Sequence, residues 1–182
     1  VQGREIPLKM TKSFAKSDKG FVVTDSLDGP LGKILDSVTY DDKMQPVSRK
    51  MTQGPSAIDA TYSAGKIQVT LNGTENELTY DGALLCDGPG RELIIAGMEL
   101  QPGKELAVSV PSLAANKVTV AKISSEESTL EGVACTKVVV ADVDNAAATS
   151  TFWVEKASKK VVRSESVIPE LQNAVMTKTL KK

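Results

Sequence analysis

The chain has 182 residues, of which 41% are hydrophobic and 25% charged, the balance of an ordinary globular protein, and one domain over residues 1–182 is expected. Lys+Arg (22) nearly cancels Asp+Glu (23), so no net field draws nucleic acid or an anionic membrane surface to the molecule. No run of about 18 apolar residues exists to form a membrane-spanning helix, and a chain without histidine runs no Ser-His-Asp or Cys-His mechanism and builds no His-ligated zinc site.

The chain begins at Val1 rather than Met, so removal of an upstream segment, a signal peptide or a trimmed stretch, is expected. Alternation of apolar and polar residues then carries most of the length, the period-2 pattern of half-buried strands. Ile6, Leu8, Met10 and Phe14 share one parity, and Ser17-Asp18-Lys19-Gly20 turns the chain into a partner strand with Phe21 and Val23. Asp28-Gly29-Pro30 reads as the next turn. Val38-Thr39-Tyr40 leads through Asp41-Asp42-Lys43 to Val47, Arg49 and Met51, which alternate up to Gly54-Pro55. Ile58, Ala60 and Tyr62 precede Gly65-Lys66, and Ile67, Val69 and Leu71 precede Asn72-Gly73, a pair favoured in tight hairpins. Leu78 and Tyr80 close this meander at Asp81-Gly82.

From Gly88-Pro89-Gly90 to Gly97-Met98 the pattern changes. Pro89 suits a first helical position, Glu92 the first turn and Gly97 the end, which predicts a helix of about two turns. Its Leu93, Ile94 and Met98 cannot all face water, so it is expected to pack on the sheet. Strands resume at Leu106–Val110, Val118 and Val120, Val133–Val140, Phe152 and Val154, and Val161-Val162, separated by turn residues such as Pro102-Gly103, Glu131-Gly132 and Asp144-Asn145. Pro169 to Val175 reads as a second helical turn. Short strands at this spacing indicate an all-β sandwich or barrel with one or two short helices.

Few motifs carry chemistry. Cys86 and Cys135 lack CxxC spacing. An oxidising compartment would allow one bridge closing a loop of about 50 residues, while the alternation around Cys135 fits a buried thiol equally well. Ser13-Phe14-Ala15-Lys16 and Ser63-Ala64-Gly65-Lys66 match Ser-x-x-Lys, but strand spacing does not join those side chains. Asp41-Asp42 and Glu126-Glu127 read as solvated turns. Asp142-Val143-Asp144-Asn145 begins like a calcium loop without the later Gly and Glu. Neither metal nor cofactor is expected. The basic residues near the C-terminus, Lys156, Lys159, Lys160 and Arg163, then Lys178, Lys181 and Lys182, read as a hairpin tip and a solvated tail. Aromatics are only 4% of the chain, too few for sugar or base-stacking platforms. Phe152, Trp153 and Val154 cannot all face one side of a strand, so Trp153 and its neighbours point to opposite faces. That leaves Trp153 in a second apolar layer or at a ligand or partner contact.

The hairpin meander, the helix at Pro89 to Gly97, the Leu100-Gln101-Pro102-Gly103-Lys104-Glu105-Leu106 turn and the hairpin from Phe152-Trp153-Val154 to Val161-Val162-Arg163 resemble the lipoprotein-carrier-like (LolA/LppX-like) half-barrels of bacterial envelopes. The likeness is to exported relatives known only as a domain of unknown function. It implies a strongly curved antiparallel sheet, a half-barrel around an apolar hollow, with the helix across its opening. Leu93, Ile94 and Met98 would then be a lid, and Tyr62, Val69, Leu78 and Val108 the lining. The expected function is a non-enzymatic periplasmic or secreted protein that binds a lipid or other apolar ligand. The alternative is a structural or protein-interaction domain with a filled core and an envelope protein as partner. An enzyme would need separated acids such as Asp87, Glu92 and Glu99 to converge.

Overall fold

The computed structural model describes residues 9–29, 32–169 and 173–179. Among them the all-β class expected from the alternation is what forms, as thirteen strands and one short helix. The strands divide between two open antiparallel sheets instead of the single sheet the resemblance implied.

The first sheet is a seven-stranded meander in sequence order: β1 (Lys9–Ser17), β2 (Gly20–Gly29), β3 (Gly32–Tyr40), β4 (Pro46–Gln53), β5 (Ser56–Ser63), β6 (Lys66–Leu71) and β7 (Thr74–Thr79). Its turns follow the local chemistry. Asp41 Oδ1 accepts hydrogen bonds from the Lys43 and Gln45 N–H groups. Asn72 and Gly73 both adopt positive φ, 49° and 85°, as a tight hairpin requires, and Asn72 Oδ1 also accepts the Ala57 N–H. Ile6 and Leu8, expected in the first strand, and Pro30 lie outside the described residues.

The second sheet has the order β13-β12-β11-β10-β9-β8, from β8 (Leu106–Ser112), β9 (Lys117–Leu130), β10 (Val133–Asp142), β11 (Thr149–Glu155), β12 (Val161–Ile168) and β13 (Ala174–Thr179). Two expectations are corrected here. Glu126 and Glu127 are not turn residues: they sit inside the 14-residue β9, opposite Lys137 and Thr136 of β10, and pair with Lys137 and Lys156. Ala174 and Val175 are strand, held by ladder pairing with β12, while positions 170–172 of the expected helical turn lie outside the described residues. In both places cross-strand partners override a weak local preference.

The helix α1 spans Arg91–Gly97, two residues shorter at its start than the sequence suggests. Pro89 and Gly90 instead form a turn in which the Gly88 carbonyl accepts the Arg91 N–H at 3.2 Å. Gly90 at φ +91° supplies the positive dihedral of a Pro-Gly type II turn.

The chain clusters into two compact units, one holding residues 9–91 and 109–118 of the described chain, the other residues 92–108 and 119–179. In the first, the register aligns Phe14, Val23, Val38, Arg49, Ala60, Val69 and Asn76 in one row across the sheet. Val23, Val38 and Val69 are essentially fully buried. In the second, Ser125, Val138, Phe152 and Ser164 form one buried row across β9 to β12.

Candidate functional site

The charged residue in the apolar row of the meander is the feature that sets this sheet apart. Arg49 alternates with apolar positions along β4 and is 8% exposed. A buried guanidinium is costly unless its donors are satisfied, and here two carboxylates satisfy them. Asp36 of β3 accepts a two-pronged pair, from Nε at 3.0 Å and Nη2 at 2.8 Å. Asp87 accepts from Nη1 at 2.5 Å. Burial by itself lowers the pKa of Arg49, but the Asp87 charge and the Asp36 hydrogen bonds outweigh it, and the guanidinium is held above its ordinary value.

Asp87 belongs to residues 81–90, a strap that leaves β7 and returns over the same face. Its start is fixed to Ser109: the Ser109 N–H donates to the Ala83 carbonyl at 2.8 Å, the Leu85 N–H donates to the Ser109 carbonyl at 2.9 Å, and Ser109 Oγ donates to the Asp81 carbonyl at 2.8 Å. Leu85 and Cys86 are fully buried. Cys86 Sγ lies 3.8 Å from the Tyr62 hydroxyl. At the far end Tyr40 Oη donates to the Pro89 carbonyl at 2.7 Å, and the Tyr40 ring stacks on Phe21 at 5.5 Å.

The two glycines of Gly88-Pro89-Gly90, which the sequence marks only as a helix start, let the strap seat this closely. A Cβ on Gly88 would lie 2.9 Å from Arg49 Cζ, and one on Gly90 would lie 2.7 Å from the Tyr40 ring. Burial, reinforced by the nearby Asp87 charge, pushes the Cys86 thiol up. Burial likewise raises the Tyr62 hydroxyl, with Cys86 adding to it and Arg49 opposing. Both groups therefore stay protonated and poorly nucleophilic near neutral pH.

The expected lining residues Tyr62, Val69 and Leu78 do share this face, with Tyr62 and Leu78 flanking Ile67 across β5, β6 and β7, and all three are buried. Leu93, Ile94 and Met98 belong to the other unit, with Val108 and Trp153. Leu93 is exposed and Ile94 and Met98 half-buried, while Val108 is buried. Trp153 faces away from Phe152 and Val154, as alternation requires, and carries the Arg163 guanidinium 5.6 Å from its ring centroid. Glu92 pairs with Lys178 at 3.3 Å, whereas Asp87 is committed to Arg49. Asp142 Oδ1 accepts the Asp144 and Asn145 N–H groups, and no cluster of three potential metal ligands occurs among the described residues. Cys86 and Cys135 are buried free thiols.

Sequence reasoning placed Arg49 on the alternation but missed its meaning. A charge at an apolar parity was the available signal, whereas Asp36 and Asp87 gave no sign of being its partners. Fold and site define an all-β protein whose meander sheet is braced from within by its own chain. Compared with protein-family models, with curated proteins and with solved structures, the chain finds no match.

Proposed function

We propose that this chain is a non-enzymatic structural or protein-interaction β protein, with the inner face of its meander filled by its own strap and its contacts made through its surface. The observation that supports this reading is the seating of residues 86–90 on Tyr62, Arg49, Val38 and Tyr40, through hydrogen bonds, an ion pair and glycine contacts. The ionisable groups gathered there are engaged with one another or held protonated, which leaves no poised acid, base or nucleophile among them. The test is native mass spectrometry of gently extracted protein together with displacement of a fluorescent fatty acid. Absence of co-purified lipid and of displacement at about 10–50 μM fits a filled interior, and saturable displacement in that range overturns it.

The second reading is an envelope carrier of a lipid or other apolar ligand, built on the half-barrel resemblance. The exposed Leu93 and half-buried Ile94 and Met98 on and beside α1 favour it, because a lid over an apolar ligand presents such a surface. Both readings place the protein in the periplasm or outside the cell. Fractionation of cells carrying the full gene checks that address, and retention of the protein in the cytoplasm would refute it.

A further inference from the structure

The surface-binding reading leaves open which surface, and the edge strand β1 is where the observations converge. Among the described residues no strand pairs with its outer side, so alternate residues of β1 direct their N–H and C=O groups away from β2. The strand is regular: all nine residues, Lys9 to Ser17, pair with β2 without a bulge.

One face of β1 carries Met10, Lys12, Phe14 and Lys16. Phe14 is 58% exposed and Met10 37%, although Val23, directly opposite Phe14, is fully buried. β1 contains three lysines and no acidic residue. Lys12 is tied to Asp25 at 2.8 Å, while Lys9 and Lys16 are exposed and make no ion pair among the described residues.

We propose that β1 is a docking edge that takes an extended segment of another protein, apolar and acidic at alternate positions, as an added strand. Ladder hydrogen bonds supply affinity in such an addition, and alternate side chains supply specificity. On the Met10 face the incoming strand meets Met10 and Phe14 as apolar positions and Lys16 as an exposed charge, Lys12 being held by Asp25, so its matching side chains are apolar opposite the first two and acidic opposite Lys16. Lysines on an edge strand also guard against self-pairing. Here Lys9 and Lys16 do both: a second copy would bring like charges together, which repel, and an acidic strand is accepted. A guard alone gives no reason to leave a phenylalanine uncovered at the edge.

The test uses the full chain and a labelled nine-residue peptide with threonine on one face and alternating valine and glutamate on the other. A second peptide carries lysine in place of each glutamate. Fluorescence anisotropy is expected to show saturable binding of the glutamate peptide, weakening as salt rises from about 50 to about 500 mM. The lysine peptide should bind at least about ten-fold more weakly. Phe14→Ser and Lys16→Glu, both at exposed positions, should each weaken binding about two- to five-fold, with circular dichroism confirming that each variant is folded. Equal binding of the two peptides, unchanged affinity in both variants, or no binding up to about 1 mM overturns the proposal. This edge assignment rests on the surface-binding reading, yet the two fail separately. A silent peptide without fatty-acid displacement removes only the edge, whereas displacement removes the reading itself.

Discussion

Replacing Arg49 by methionine keeps most of the side chain's apolar length but strands two carboxylates. The Asp36 side chain is 13% exposed and the Asp87 side chain 29%, so neither is well solvated in place. Removing one partner of a buried ion pair costs about 3–5 kcal/mol, and Arg49→Met should fall in that range. Asp87→Asn should cost about 1 kcal/mol, because its greater exposure lets water replace part of the interaction. Asp36→Leu combined with Arg49→Met removes the more buried of the stranded charges, so the double variant should be more stable than the sum of the single effects implies, by about 1–3 kcal/mol. Urea unfolding followed by far-UV circular dichroism measures these differences, with Trp153, the chain's single tryptophan, reporting separately on the unit that lacks Arg49. An Arg49→Met cost under about 1 kcal/mol, or strict additivity in the double variant, would refute the claim that the buried Arg49 charge is held in place by its carboxylate partners.

Other consequences are open to the same measurements. Gly90→Ala forces a side chain into the positive-φ region and against the Tyr40 ring, and should cost about 1–3 kcal/mol; a neutral substitution would show that the strap is not closely seated. The Cys86 thiol is raised in the folded chain, so above its unfolded value of about 8.5 the unfolded state binds fewer protons. Stability is then complete below about pH 8.5 and falls by at most about 1.4 kcal/mol per pH unit until the folded thiol itself titrates. Cys86→Ala should flatten that part of the profile, and Tyr62 should add its own loss only above about pH 10; an unchanged slope in the variant would exclude Cys86 as its source. Phe152→Ala empties a buried position between Val138 and Ser164 and should cost about 3–5 kcal/mol. Arg163→Ala, on the opposite face, should cost under about 1 kcal/mol while altering Trp153 fluorescence, so equal costs for these two variants would contradict the assigned faces.

Much of the fold was legible from local chemistry. Period-2 alternation located most strands, Asn72-Gly73 located a hairpin through its backbone requirement, and the Phe152-Trp153-Val154 triplet announced its own division between two faces. These signals are local because a strand's side chains alternate whatever it pairs with. What lay beyond the sequence depends on partners distant along the chain. The polar run Ser124 to Ser128 shows no alternation, and only pairing with β10 makes it strand. The Ala174 segment becomes an edge strand only because β12 lies beside it. Arg49 could be seen at an apolar position, but its neutralisation needed the β3–β4 register to bring Asp36 within reach and the strap to deliver Asp87 from 38 residues away. The sequence therefore determined where the chain is extended and which side of each strand is apolar. Tertiary structure alone decided how those strands sort into two sheets and what lies on the inner face of the first, because the free energy of a buried charge depends on neighbours that no local pattern encodes.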